Sequence, residues 1–190
     1  MNSDSRRWLS AGGAVVTLMA PAPALVAAEY LSLAAAQSAV FPEARGFEPV
    51  VLQLSAAQRQ SLAALAGVQP PRGQVRVFRA LGTDAPLGYL FTDEVVGRQD
   101  FIDYALGINA DGTLRTPEIM SYRESHGAEI RNAAWRAQFE GRRDGAALRP
   151  VVDIRNIAGA TLSCEHVTAG VRYLTALWQV ALQPPAAPPP

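Results

Sequence analysis

Two short stretches hold most of the side chains able to do chemistry. Residues 156–171, NIAGATLSCEHVTAGV, set Gly159, Ala160 and Thr161 ahead of Ser163, of Cys164 (the sole cysteine) and of His166, one of two histidines. Residues 122–130, YRESHGAEI, contain Glu124, Ser125, His126 and Gly127. Small residues and hydroxyls at a helix start suit a phosphate, because the first turn leaves backbone N–H groups unpaired and carries partial positive charge. The simpler alternative is a capped helix, with Thr161 or Ser163 as the cap. Glu124, His126, Cys164, Glu165 and His166 are zinc-ligand types. Residues 164–166 are consecutive, however, and successive helical side chains point about 100° apart. No metal site is therefore expected. Cys164 is expected to be a buried, inert thiol, with a helix-start thiol of lowered pKa as the alternative. His126 is of a type that relays protons, and the alternative for Glu124 and His126 is a solvated loop with a local ion pair to Arg123.

These residues need elements to hold them. A helix is expected within residues 29–40, capped by Ser32 and ending before Phe41-Pro42. Ser55 and Gln58 form a capping box for a second helix, with Leu62 and Leu65 inward and Gly67 at its end. From Gln74 the pattern changes to alternation, in QVRVFRA, PLGYLFTDEVV, DFIDYALGI and, after the turn at residues 109–112, LRTPEIMSY. Pro117 places the last of these at an edge or bulge. Asn132 caps a short helix in which Trp135 and Phe139 pack into the core, closed by Gly141. RPVVDI reads as a short strand or extended segment. In the final helix Val167, Val171, Leu174, Trp178 and Leu182 form one apolar stripe. Helices, then an antiparallel meander, then helices give an α+β domain, with an antiparallel sheet flanked by helices.

The totals bound the function. The chain has 190 residues, with 17 basic and 17 acidic side chains, so it carries no general attraction for nucleic acid. Its 49% hydrophobic content suits a domain with a core. One cysteine excludes an internal disulfide and a CxxC pair. Residues 1–28 have Arg6-Arg7, an Ala/Gly-rich uncharged run and Val26-Ala27-Ala28 before Glu29, the pattern of a cleaved export signal. Ser5-Arg6-Arg7-Trp8-Leu9 resembles a twin-arginine signal, and an uncleaved membrane anchor is the alternative. The proline-rich residues 184–190 cannot fold alone. The expected organisation is a signal at 1–28, one domain at 29–183 and a disordered tail at 184–190.

NIAGATLSCEHVTAGV, together with FIDYALGINADG, YRESHGAEI and WRAQFEG, resembles the small FMN-binding domain family, across nearly the whole chain after the signal. Related domains occur in the Rnf electron-transport complex and in sodium-translocating NADH:quinone reductase. The resemblance implies FMN esterified through its phosphate to the threonine of a Ser-Gly-Ala-Thr motif by an extracytoplasmic flavin transferase. Thr161 stands at that threonine, Ala160 at the alanine and Gly159 at the glycine. Ala158 replaces the serine, and Arg155 replaces an upstream aspartate, with Asp153 two residues earlier. Arg155 is instead suited to pair with a phosphate. Glu124, Ser125, His126 and Gly127 match a Glu-Thr-Pro-Gly-like segment near the flavin, with His126 in place of the proline. Cofactor contacts are thus expected from Thr161, Gly159, Ala160, Ser163, Glu124, Ser125, His126 and Gly127.

The function expected is an exported, periplasmic flavoprotein acting as an electron carrier with membrane or periplasmic redox partners. It is expected to be a carrier more than a self-sufficient enzyme. Two alternatives keep the scaffold: a module that binds or senses FMN noncovalently, and a flavin-free interaction domain.

Overall fold

In a computed structural model of the chain, residues 28–70, 73–123, 127–143 and 148–183 are described. The expected signal up to residue 27 and the proline-rich tail lie outside them, as do Glu124, Ser125 and His126, while Ala28, the last residue of the expected signal, is described.

Ser32 caps α1 (Leu33–Val40) through the Ala35 N–H, and Phe41-Pro42 follows its end. The capping box of Ser55 and Gln58 opens α2 (Ala56–Ala66), and Gly67 closes it in the left-handed region at φ 59°. Leu62 and Ala66 form the buried stripe of this helix. Leu65, expected inward, is 52% exposed, because α2 meets the core along a narrower stripe than its leucines suggest.

The meander is β3 (Arg76–Leu81), β4 (Pro86–Val96), β5 (Phe101–Asn109) and β6 (Glu118–Tyr122), each antiparallel to the next. β6 starts only after Pro117, while Leu114 makes a separate bridge to Ile108. Two strands join it that local pattern did not reveal, β1 (Ala28–Glu29) and β2 (Gly46–Val50). The sheet order is β1-β6-β5-β4-β3-β2. Pro49 is tolerated because β2 is an edge strand. RPVVDI is a turn: Pro150 bridges Ile154, and Val151 sits at φ 68°.

Alternation along the strands divides the core. Leu90, Ala105 and Met120 face α1, together with Ala36, Val40 and Phe41. Phe91, Tyr104 and Leu106 face the other way, onto α2 and α4 (Thr161–Ala181). Val167, Val171, Leu174 and Trp178 of α4 are buried as the stripe predicts, and Leu182 is half-buried at the end. Asn132 accepts hydrogen bonds from the Ala134 and Trp135 N–H groups to open α3 (Ala133–Arg136). Trp135 and Phe139 are core residues, their rings edge-to-face with centroids 5.3 Å apart. The result is an α+β fold, with α1 on one face of the sheet and α2 and α4 on the other. Among the described residues, no helix is long and apolar enough to cross a membrane.

Candidate functional site

The entrance of α4 differs from those of the other three α-helices among the described residues. Its N-cap is Ala160, which has no side-chain acceptor, and no acidic residue stands in its first turn. Neither Thr161 nor Ser163 caps it. The helix starts at Thr161, and its first closing bond runs from the Cys164 N–H to the Ala160 carbonyl. The N–H groups of Thr161, Leu162 and Ser163 are therefore left without intrahelical partners. Thr161 is exposed, and its hydroxyl has no hydrogen-bond partner among the described residues. Gly159, also exposed, lies at φ 89°, which an L side chain rarely adopts, with nothing within 4 Å of where a Cβ would sit. The chain enters the helix through a turn closed by the Ala160 N–H on the Ile157 carbonyl.

One wall of this entrance is built from the second stretch. Gly127 is buried at φ 95°, and a Cβ there would lie 2.4 Å from the Tyr122 hydroxyl, 3.1 Å from Ser163 Oγ and 3.6 Å from Ala160 Cα. Tyr122 and Ser163 share a buried hydroxyl–hydroxyl hydrogen bond of 3.1 Å. The fold thus brings Gly127, Ala160 and Ser163 together, although Gly127 and Ala160 are 33 positions apart in the sequence. The Ser163 side chain is committed to Tyr122, so its backbone N–H is what it offers outward. Tyr122 is the residue of this site that sequence reading missed. It lies at the head of YRESHGAEI, but only the pairing of β6 with the rest of the sheet shows where its hydroxyl goes.

The flanking residues complete the electrostatics. Arg155 is exposed; its backbone N–H donates to the Gln138 side chain and its carbonyl accepts from it, which fixes the segment leading to the helix. Asp153 does not stand in for the aspartate of the motif. Its carboxylate accepts from the Arg149 backbone and guanidinium, at 2.9 Å from both the backbone N–H and Nε, and these bonds hold its pKa below the usual carboxylate range. Asn156 Nδ2 donates to Glu165 at 3.1 Å. Cys164 is fully buried, and burial pushes its thiol pKa up, so the lowered-pKa alternative fails. His166 is tied to the β4–β5 connection, with Nδ1 3.0 Å from the Gly97 carbonyl. Among the described residues, no group of three or more His, Cys, Asp or Glu side chains is placed to hold a metal.

A second opening, about 560 Å³, lies on the α1 face of the sheet. It is lined by Ser32, Arg76, Asp103, Ser121 and Arg123, and it is charged: Arg123 pairs with Asp103 at 3.0 Å, while burial and then Asp103 raise the Glu94 pKa. The sheet separates it from Thr161.

Residues 97–176 match the model of a family described as the FMN-binding domain. Over this part of its length the chain is similar to the FMN-binding domain. FMN is the cofactor this indicates. The matched span runs from the turn before β5 to the last part of α4 and contains all four quoted motifs. It is narrower than the resemblance across the whole domain, since α1, β2, α2, β3 and β4 precede it. No curated protein matches the chain. The residues present fit the cofactor's phosphate. An uncapped helix start offers donors, Gly159 leaves the approach open, and Gly127 makes room where a side chain would collide with Tyr122 and Ser163.

Proposed function

We propose that this flavoprotein carries FMN as a phosphoester on Thr161 and works as an electron carrier outside the cytoplasmic membrane. The observation that carries the attachment is the α4 entrance, where an exposed threonine hydroxyl, without a partner among the described residues, sits on the first turn of a helix with no side-chain cap. The FMN-binding domain match across the same segment supports it. A phosphate held there lies against the N–H groups of Leu162 and Ser163 and the positive end of the helix dipole. Arg155, exposed on the segment leading into the helix, is a cationic side chain suited to pair with that phosphate. Gly127 closes the site from the side of β6.

The ester forms when Thr161 Oγ bonds to the phosphorus of an activated FMN donor. The leaving group departs with the electrons of the broken P–O bond, and the hydroxyl proton goes to a base. A flavin transferase outside the cytoplasm is the partner that supplies donor and base. Bound FMN supplies one- and two-electron chemistry. The chain's residues tether it, orient it and set its potential through nearby hydrogen bonds and charges. Export follows from the signal-like residues 1–28, and a tether suits a compartment where a released flavin is lost to the cell. The electrons pass to membrane or periplasmic redox partners.

Denaturing-gel fluorescence tests the tether on protein exported in the presence of a flavin transferase. A fluorescent band that disappears in Thr161→Ala is the expected result. Flavin colour that is lost on denaturation establishes the noncovalent alternative, and a colourless protein the flavin-free one.

A further inference from the structure

Helix α1 has only 8 residues, so it covers one part of its face of the sheet and leaves an open hollow of about 560 Å³ beside it. Strand register decides which side chains stand there. Thr92 and Glu94 of β4 share this face, since alternate residues of a strand point the same way. Arg76 of β3 lies opposite Thr92, and Asp103 of β5 lies opposite Glu94. Two hydroxyls fix two of the charged groups. Thr92 Oγ1 accepts from Arg76 Nε at 3.1 Å, which leaves the Nη groups of the guanidinium for other partners. Ser121 Oγ and Arg123 Nη2 both donate to Asp103 Oδ2, at 2.5 and 3.0 Å. Thr92 and Ser121 are 5% and 6% exposed, so neither hydroxyl is a solvated surface group.

The charges of this hollow do not all pair with one another. Among the described residues, Asp103 pairs with Arg123, while Glu94 and Arg76 stand in no ion pair. Glu94 faces the Asp103 carboxylate instead, and like charges opposite each other across two strands destabilise a sheet. Asp93 also borders the hollow, but its carboxyl is bonded to the Tyr104 hydroxyl. We propose that the hollow binds a small zwitterion of dipeptide length, its ammonium between Glu94 and Asp103 and its carboxylate on Arg76. One anion and one cation remain once Arg123 and Asp103 are paired, which matches a ligand carrying one of each. Arg76 and Glu94 stand on neighbouring strands two positions out of register, about 8 Å apart at their Cα atoms. The charged ends of an extended dipeptide are about 7 Å apart. An ammonium has three donors and can meet both carboxylates, and a carboxylate accepts two parallel bonds from a guanidinium fork. Leu31, Leu33 and Met120 give the peptide's side chains an apolar surface. A metal ion at the carboxylate pair fits less well, because the Arg123 guanidinium already lies 3.0 Å from Asp103 Oδ2 and would repel it. The sheet stands between this hollow and Thr161, so the proposal does not depend on the phosphoester.

Isothermal titration of the exported protein with alanyl-leucine tests this, beside two blocked forms, N-acetyl-alanyl-leucine and alanyl-leucine amide. Wild type is expected to bind the free dipeptide saturably. Each block is expected to weaken binding about tenfold, the loss of one set of charged hydrogen bonds. Glu94→Gln is expected to remove the penalty for acetylation, and Arg76→Gln the penalty for the amide. FMN content, read by intact mass, is expected to be the same in both variants as in wild type. The comparison of free and blocked forms on wild type stands without either variant. No saturable binding, or equal binding of free and blocked forms, overturns the proposal. Discrimination that persists unchanged in both variants places the dipeptide elsewhere and also overturns it. Calcium chloride binding that Glu94→Gln abolishes, in a protein that binds no dipeptide, overturns it in favour of a metal at the carboxylate pair.

Discussion

Helices α2 and α4 lie on the same face of the sheet and pack against each other, yet their entrances are opposites. α2, of 11 residues, is closed at both ends: Ser55 and Gln58 exchange bonds with each other's backbone, and Gly67 turns the chain at the far end. α4, of 21 residues, starts on an alanine with no side-chain cap. A cap contributes about 1 kcal/mol, so the longest helix among the described residues forgoes a gain that its shorter neighbour has. Its stability comes instead from the buried stripe, Val167, Val171, Leu174 and Trp178. What the difference teaches is that the open end is available. Among the described residues, the three first-turn N–H groups have no partner within the helix, and the Thr161 hydroxyl has none.

The most severe way to break this contrast is to close the open end from the side. Gly127→Ala puts a Cβ into the left-handed region at φ 95° and against the Tyr122–Ser163 hydroxyl pair. It is expected to cost roughly 2–4 kcal/mol in urea unfolding and to reduce FMN content as well. A comparable substitution at Gly141, where no atom lies within 4 Å, carries the backbone cost alone.

The next effect lies under the body of α4. Asp93 is 4% exposed, and burial raises its pKa to about 6 despite the 2.8 Å bond it accepts from the Tyr104 hydroxyl. The folded state therefore holds a proton that the unfolded state, with a carboxyl near 3.8, has released. This contribution is full below pH 4 and is lost as the pH rises through about 6. The loss is at most about 3 kcal/mol, and Asp93→Asn is expected to flatten that part of the stability–pH curve. Glu43 and Asp111, with lowered pKa, act in the opposite direction at lower pH.

The smallest effects sharpen the comparison itself, because the same kind of hydroxyl is removed at each entrance. Ser55→Ala is expected to destabilise the apo protein by about 1 kcal/mol. Thr161→Ala is expected to change apo stability by less than about 0.5 kcal/mol, since its hydroxyl bonds to nothing among the described residues. Equal losses at the two sites would remove the contrast between a closed and an open helix start.

Much of this was legible in the sequence because it is local. Capping residues act within four positions, so Ser32, Ser55 and Asn132 were readable as helix starts, and the apolar stripe of α4 follows from its 3.6-residue period. β2 was not legible: GFEPV has no alternation and contains Pro49, and it becomes a strand only by pairing with β3, Glu48 opposite Arg79. The same limit applies within the site. Thr161, Gly159 and Gly127 stand in recognisable stretches. The contact of Gly127 with Ser163, the bond between Tyr122 and Ser163, and the tie of His166 to Gly97 each join residues more than 35 positions apart. Such contacts are set by strand order, which no single segment encodes.

The central claim is that Thr161 is the point where cofactor and chain are joined. Intact mass spectrometry of the exported, mature protein tests it most directly. The account predicts a mass equal to the processed polypeptide plus one FMN less one water, and loss of that increment in Thr161→Ala. A mature wild-type protein at the bare polypeptide mass, or an increment that persists in Thr161→Ala, would contradict it.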